Sequence, residues 1–237
     1  MTKSMQEDMS LLKQRILRMG GMVEEATRNA TVALTQRRAD LARRVIESDD
    51  TIDMIELDVD EECLRILALH QPVAGDLRFI TAAMKINNDL ERIGDLACNV
   101  AERAIDLSAR DALVLPLRFE RMTEIVRGML HDALDALVNR NAQLARRVLE
   151  QDPEINEIHK EHFGLLQDTM KASPDSVEAA VDLLSASRQI ERIGDQTKNI
   201  AEDVVFLVRG KDIRHWNRRQ EESDYPLSTP VPNKGTG

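Results

Sequence analysis

Two stretches of the sequence place oxygen-bearing side chains at intervals that match the turns of an α-helix. Their members are Glu91, Asp95, Asn99 and Glu102, and then Glu191, Asp195, Asn199 and Glu202. Positions i, i+4, i+8 and i+11 fall within a sector of about 80° on a helix. Carboxylates at i and i+4 repel each other by about 0.2–0.5 kcal/mol. A compensating positive charge is therefore expected, and oxygen ligands of this kind suit hard cations such as Fe, Mn, Mg or Ca.

A preceding helix adds further acids to the first set. Asp53 and Glu56 are candidate ligands, and Asp49 and Asp60 continue their helical spacing. The matching positions in the second half of the sequence are Asp152, Asn156, His159 and Phe163. Two metal sites, if both form, therefore need not hold the same number of ions. Two alternatives to a metal site stay open: a solvated or arginine-paired helix face, and a protein-docking surface that attracts cations from solution.

The two acidic sets belong to two copies of one sequence unit. The segment LARRV occurs at residues 41–45 and again at residues 144–148. ERIGD begins both 91–102 and 191–202, two segments that are identical at eight of twelve positions. Two matches in the same order and at nearly the same offset indicate an internal duplication.

Each copy has the hydrophobic periodicity of three helices. Apolar residues recur every three or four positions, which gives each helix one apolar stripe. In the first two helices the stripes contain Leu12, Ile16, Met19 and Val23, and then Ile52, Ile55, Val59 and Cys63. The sequence has no alternating β-branched run and no Asn-Gly or Asp-Gly hairpin turn. The predicted fold class is all-α, with six long helices that form two repeated antiparallel three-helix bundles.

The predicted domain boundaries follow this duplication. The first repeat is assigned to residues 1–112 and the second to residues 113–212. Residues 213–237 are expected to form a disordered C-terminal tail, because they are rich in Pro, Ser, Thr and Gly and lack periodicity.

The composition excludes several functional classes. The 237-residue chain has a formal net charge of −10 and only 3% aromatic residues, so no nucleic-acid partner is expected. No apolar run approaches the roughly 18 residues of a membrane span, and the start of the chain lacks the apolar core of a signal peptide. Direct membrane insertion is therefore not expected. The two cysteines, Cys63 and Cys98, fit a reducing compartment, which favours the cytoplasm.

No catalytic motif accompanies the acidic sets. Ferritin-like di-iron sites use Glu-x-x-His pairs from two helices, and this sequence contains no Glu-x-x-His. Zinc-protease, P-loop and dinucleotide-binding motifs are also missing. The protein is therefore predicted not to be an enzyme. The alternatives are a carboxylate-bridged metalloenzyme and a purely structural helical dimer, in which neutralising the acids would leave partner binding unchanged.

The duplicated segments resemble the signature of the PhoU family. The resemblance rests on ERIGD and its extensions in both copies, on LARRV, and on further motifs in the same order between about residues 5 and 215. It implies two three-helix bundles that act as a negative regulator of the phosphate-starvation response and of phosphate uptake. Such an adapter links the ATP-binding subunit of the phosphate ABC transporter to a membrane sensor histidine kinase, and a homodimer is expected.

The same resemblance implies metal ions on the family's E/DxxxD motifs. These motifs correspond to Glu91 with Asp95 and to Glu191 with Asp195, and Asp53 fits the acid that the family carries on the second helix. Asn156 replaces that acid in the second copy. Iron clusters are one implied form of the cofactor, and Mn, Mg or Zn ions are alternatives. The implied location is the cytoplasm, with peripheral association with membrane protein complexes.

Overall fold

The computed structural model describes residues 3–210, and this part of the chain contains seven α-helices, one 3₁₀ helix and no β-strand. The elements are α1 (Lys3–Thr35), α2 (Ala39–His70), α3 (Ala74–Ser108), α4 (Phe119–Asn139), α5 (Ala142–Leu149), α6 (Asp152–Ala172), the 3₁₀ helix (Pro174–Ser176) and α7 (Val177–Arg209). The predicted all-α fold and its repeat are confirmed. The predicted tail, residues 213–237, lies outside the described residues.

The middle helix of the second repeat is divided into α5 and α6, whereas its counterpart α2 is continuous. Pro153 lies in the first turn of α6, and Asp50 takes the equivalent position in α2. Proline has no backbone N–H and its ring clashes with the preceding turn, so it is tolerated at a helix start but not in a helix interior. The chain therefore turns at Glu150 and Gln151 before α6 begins.

Two three-helix bundles share one continuous hydrophobic core. Helices α1, α2 and α3 pack together, as do α4, α5–α6 and α7, and the bundles join through α3 against α7 and α1 against α4. Lys85 pairs with Asp203, and Arg103 pairs with Asp182, so α3 and α7 run antiparallel across the junction. The middle helices α2 and α6 lie away from this junction.

The apolar stripes predicted from the sequence form this core. Leu12, Ile16, Met19 and Val23 of α1 are all fully buried, and so is the equivalent face of α4. The stripe of α2 is buried in the same way. No helix among residues 3–210 is long and apolar enough to cross a membrane.

A pair of buried hydroxyl groups joins the two bundles where α1 meets α4. The Oγ1 atoms of Thr31 and Thr123 are 2.7 Å apart. The hydroxyl of Thr31 donates its proton to the carbonyl of Thr27, so the hydroxyl of Thr123 must be the donor between the pair. The hydroxyl oxygen of Thr31 therefore accepts the hydrogen bond that the hydroxyl of Thr123 donates.

We expect Thr31→Val to lower the free energy of unfolding by about 1–2 kcal/mol, because it leaves the buried Thr123 donor without a partner. Thr123→Val should cost less, since Thr31 keeps its bond to Thr27. The double variant should recover most of the loss. Urea unfolding of the three variants measures these differences, and a double variant less stable than Thr31→Val alone would contradict the assignment.

Candidate acidic cation site

The candidate ligands of the first repeat meet along the seam between α2 and α3, which we call the first acidic groove. Its members are Asp49, Asp53, Glu56 and Asp60 from α2 and Glu91 and Asp95 from α3. Burial raises the pKa of Glu91, and the carboxylates of Asp95, Asp53 and Glu56 raise it further. Burial and then Asp53 raise the pKa of Asp95. The predicted ligands of two helices therefore share one electrostatic environment.

A glycine and a buried asparagine bring α2 close to α3 along this groove. A Cβ atom at Gly94 would lie 3.2 Å from Oδ1 of Asp49, so a larger residue would crowd the seam. Nδ2 of Asn87 donates hydrogen bonds to the backbone carbonyl of Glu56 at 2.9 Å and to Oδ1 of Asp60 at 3.1 Å. These contacts fix the register in which the acids of the two helices face each other.

Asp49 lies at one end of the first acidic groove, next to Cys98 of α3. Burial raises the pKa of Asp49, while a hydrogen bond from the Cys98 thiol opposes this rise. Burial, followed by the charge of Asp49, raises the pKa of the Cys98 thiol. Cys98 is therefore a neutral hydrogen-bond donor rather than a thiolate.

The second repeat carries a related seam between α6 and α7, which contains its own positive charges. We call Asp152, Glu191 and Asp195 the second acidic groove. Nζ of Lys198 lies 3.0 Å from Oδ2 of Asp152, which also accepts a hydrogen bond from Asn156 at 3.3 Å. An Nη of Arg188 donates to Oε1 of Glu191 at 2.6 Å. Burial, followed by the charge of Asp152, raises the pKa of Asp195, whereas Lys198 and Arg188 act in the opposite direction.

The two grooves differ at the positions that carry these cations. Lys198 corresponds to Cys98, and Arg188 corresponds to Asn88. The first groove thus gathers six carboxylates, while the second pairs three carboxylates with two cations. The first groove therefore carries more negative charge that is not paired with a neighbouring cation than the second.

The remaining predicted residues of the first repeat lie on the exposed surface of α3. Asn99 and Glu102 are both exposed. Glu102 forms an ion pair with the adjacent Arg103 at 3.4 Å. Its charge also contributes to the raised pKa of Cys98, although burial is the main cause.

In the second repeat, Glu202 lies beside the second acidic groove, and Asn199 lines a pocket between α3 and α7. Burial alone would lower the pKa of Lys198, but Asp152, Asp195 and Glu202 outweigh it and raise the pKa. Asn199 instead lines an open pocket of about 490 Å³ between α3 and α7.

The donor chemistry of the first groove suits a hard cation, although its ligands are not gathered around one point. Among residues 3–210, no three His, Cys, Asp or Glu side chains converge closely enough to hold a metal ion. A cation would draw carboxylates such as Asp53, Glu91 and Asp95 together from two helices. In the second groove the protein supplies cations itself, and only Oε2 of Glu191 remains buried without a hydrogen-bond partner.

The two neighbouring histidines of α6 contact a serine rather than a shared metal position. Nδ1 of His159 and Nδ1 of His162 each lie 2.9 Å from Oγ of Ser187. Nε2 of His162 accepts a hydrogen bond from the backbone N–H of Arg118 at 2.8 Å. Burial lowers the pKa of His162 to about 4. His162 is therefore a neutral residue that links α6 to α7 and to the start of α4.

A polar cluster across the bundle junction was not found from the sequence. Nζ of Lys85 lies 3.1 Å from Oδ1 of Asp203. Beside this pair, burial and then the charge of Asp203 raise the pKa of Asp89 to about 7. The cluster joins helices of different repeats, so no pattern within one helix could indicate it.

Two three-helix repeats with an acidic seam between their second and third helices define a duplicated helical-bundle protein. The model of the PhoU domain matches residues 16–104 and again residues 119–204. The chain belongs to the PhoU family.

Solved and curated relatives agree with this assignment. The chain is 40% identical over 212 residues to a Pseudomonas putida homologue of the phosphate-specific transport system accessory protein PhoU, covering 88% of this chain and 82% of the relative. An Aquifex aeolicus homologue is 35% identical over 209 residues, covering 88% and 95%. The crystal structure of PhoU from Pseudomonas aeruginosa superposes with a TM-score of 0.83 at 38% identity, covering 87% and 99%. These relatives are named as accessory proteins rather than enzymes, which confirms the prediction that this protein is not an enzyme.

We expect Lys198→Met to destabilise the protein by about 1–3 kcal/mol, because it removes the charged partner of the buried Asp152. Removing both charges in Asp152→Asn/Lys198→Met should recover most of that loss. Urea unfolding at pH 7 in the presence of EDTA compares the variants without metal. A double variant as unstable as Lys198→Met would show that Lys198 does not neutralise the second groove.

Proposed function

We propose that this protein is a cytoplasmic negative regulator of phosphate uptake and of the phosphate-starvation response. The observation that carries the proposal is the double match to the PhoU domain, together with relatives named as accessory proteins of phosphate-specific transport. The protein acts as an adapter between the ATP-binding subunit of the phosphate ABC transporter and a sensor histidine kinase. It works as a homodimer that associates peripherally with these membrane protein complexes.

The arrangement of the bundles supports an adapter role. Because the bundles join through α3, α7, α1 and α4, the middle helices α2 and α6 lie away from the junction. Two different partners therefore have access to two different repeats of one molecule. A regulator of this kind acts by binding one state of a partner more tightly than another, since equal affinity shifts no equilibrium.

The first acidic groove is the metal site in this proposal. Asp53, Glu56, Glu91 and Asp95 would hold the ion, as iron, alone or in a cluster, or as Mn, Mg or Zn. When bound, the ion neutralises carboxylates that otherwise repel one another across α2 and α3. Asn87 holds the two helices in register through its hydrogen bonds to the carbonyl of Glu56 and to Asp60. The second groove binds metal more weakly because Lys198 and Arg188 already neutralise part of its charge.

We expect Asp53→Asn/Asp95→Asn to abolish the tightest binding of Mn²⁺ by the full-length protein. The matched second-repeat variant, Asp195→Asn, should leave this binding within about twofold of the parent, since its groove is already paired. Isothermal titration of protein stripped with EDTA measures both effects. Equal losses in the two variants would contradict an unequal division of metal between the grooves.

Substitutions in the second groove test the same unequal metal binding in the opposite direction, because they should create a site instead of removing one. Asn156→Asp/Lys198→Cys gives the second groove the residues of the first at two positions, Asp53 and Cys98, and it should add a second Mn²⁺ site to the titration. An unchanged stoichiometry in a folded variant would show that these two positions do not decide metal loading.

The regulatory role is tested in cells of the source strain. Deletion of the gene should raise alkaline phosphatase activity in phosphate-rich medium, and the intact gene should restore repression. The variant with Glu91, Asp95, Glu191 and Asp195 neutralised shows whether the acids take part. Phosphatase that stays repressed in the deletion strain, with normal phosphate uptake, would contradict the proposed function.

A further inference from the structure

The outer face of α2 carries an apolar stripe beside the first acidic groove. Met54, Leu57 and Leu64 are 60%, 66% and 59% exposed, and Ala68 is exposed beyond them. At about 100° and 1.5 Å per residue, the four residues lie within a sector of about 80° over about 21 Å of helix. Helix α2 packs against α1 and α3 through the opposite face, which contains Ile52, Val59 and Ile66. We call Met54, Leu57, Leu64 and Ala68 the α2 stripe.

The second repeat shows that the fold does not require apolar residues at these positions. The equivalents of the α2 stripe are Glu157, Lys160, Gln167 and Lys171. All four are exposed, Lys160 lies 3.8 Å from Glu157, and Lys171 donates a hydrogen bond to Gln167 at 3.3 Å. Two solvated polar pairs thus occupy the place that the first repeat gives to an apolar surface. An exposed apolar surface of this kind, interrupted by Glu61, is typical of an interaction site.

The charges around the α2 stripe define the chemistry of its partner. Asp50 and Glu61 lie within the same sector of the helix, and Asp53 and Asp60 follow one edge. Asp58 and Arg65 follow the other edge, where Arg65 is already paired with Asp8 and Glu62. A binding segment therefore needs an apolar face with basic residues on both sides. A second copy of this chain would bring two such acidic faces together, and the net charge of −10 adds to the repulsion.

We propose that the α2 stripe is the docking site for a basic amphipathic helix of a partner protein. The apolar face of that helix covers Met54, Leu57 and Leu64, and its Lys or Arg side chains pair with Asp50, Asp53 and Glu61. Recognition follows the helix-in-groove pattern, in which apolar residues at i, i+3, i+4 and i+7 anchor an amphipathic helix. The proposal rests on the adapter function, because it specifies the chemistry of one of the two partners and assigns it to the first repeat.

A direct test uses two designed peptides with the full-length protein. Both peptides carry the same leucine face, one with lysine and the other with glutamate on the flanks, and each is labelled with fluorescein. The variant Met54→Glu/Leu57→Lys/Leu64→Gln introduces the residues of the second repeat, all of which are favourable in helices. The control is Leu165→Gln on α6, where an apolar residue of 38% exposure lies outside the α2 stripe.

Fluorescence anisotropy should show that the lysine peptide binds the parent protein about tenfold or more tightly than the glutamate peptide. The triple variant should lose about tenfold or more of this affinity, and Leu165→Gln should keep it. Circular dichroism verifies that the helices are intact. Equal binding of the two peptides, or of the parent and the triple variant, would overturn the proposal.

Two further measurements test whether the α2 stripe is instead covered by a second copy of the chain or by the chain's own C-terminal segment. If the triple variant converts a parent dimer into a monomer in light scattering, the stripe is an interface between copies and the proposal is wrong. Trp216 is the only tryptophan and lies beyond the last described residue. If the triple substitution alone shifts its emission to the red, the chain's own C-terminal segment covers the stripe, and the proposal is again wrong. Neither result affects phosphatase repression by the intact gene, which tests the proposed function separately.

Discussion

Carboxylates that face one another across two packed helices repel unless a positive charge lies between them. Both repeats of this protein meet that constraint, because each places ERIGD on its third helix against acids of its second helix. The second repeat meets it internally, with Lys198 against Asp152 and Arg188 against Glu191. The first repeat has cysteine and asparagine at the equivalent positions, and there the charge of Arg92 acts against the raised pKa of Glu91.

The two repeats share one architecture, so the difference between their seams lies in the charges of the side chains and not in the fold. Gly94 and Gly194 bring the middle helix close in both repeats, and the bundles meet through the same antiparallel pairing of α3 with α7. What changes is the surface of the middle helix. In α2 an acidic seam runs beside exposed apolar residues, whereas α6 carries solvated ion pairs such as Glu157 with Lys160. The first repeat therefore has an acidic seam beside exposed Met54, Leu57 and Leu64, and the second has charged and polar residues at the positions equivalent to these three.

The helical class, the duplication and the buried stripes could be predicted because a period of 3.6 residues is a property of local sequence. The break before α6 also had a local signal, in Pro153. The pairing of Lys198 with Asp152 had none, since it depends on the distance between two helices that are far apart in sequence. Asn199 was grouped with Glu191 although it lies at the edge of the predicted sector, and the packing of α7 on α3 places it in the junction pocket instead. Contacts between repeats, such as the ion pair of Lys85 with Asp203, could not be predicted, because the spacing of residues within one helix carries no information about them.

The central proposal is that the first acidic groove takes up an external cation more tightly than the second. Hydrogen exchange of the full-length protein with and without Mn²⁺ tests it most directly, because it reports on each helix separately. The account predicts that Mn²⁺ slows exchange in α2 and α3 around Asp53 and Asp95 and leaves α6 and α7 unchanged. Equal protection in both repeats, or protection confined to α6 and α7, would contradict it.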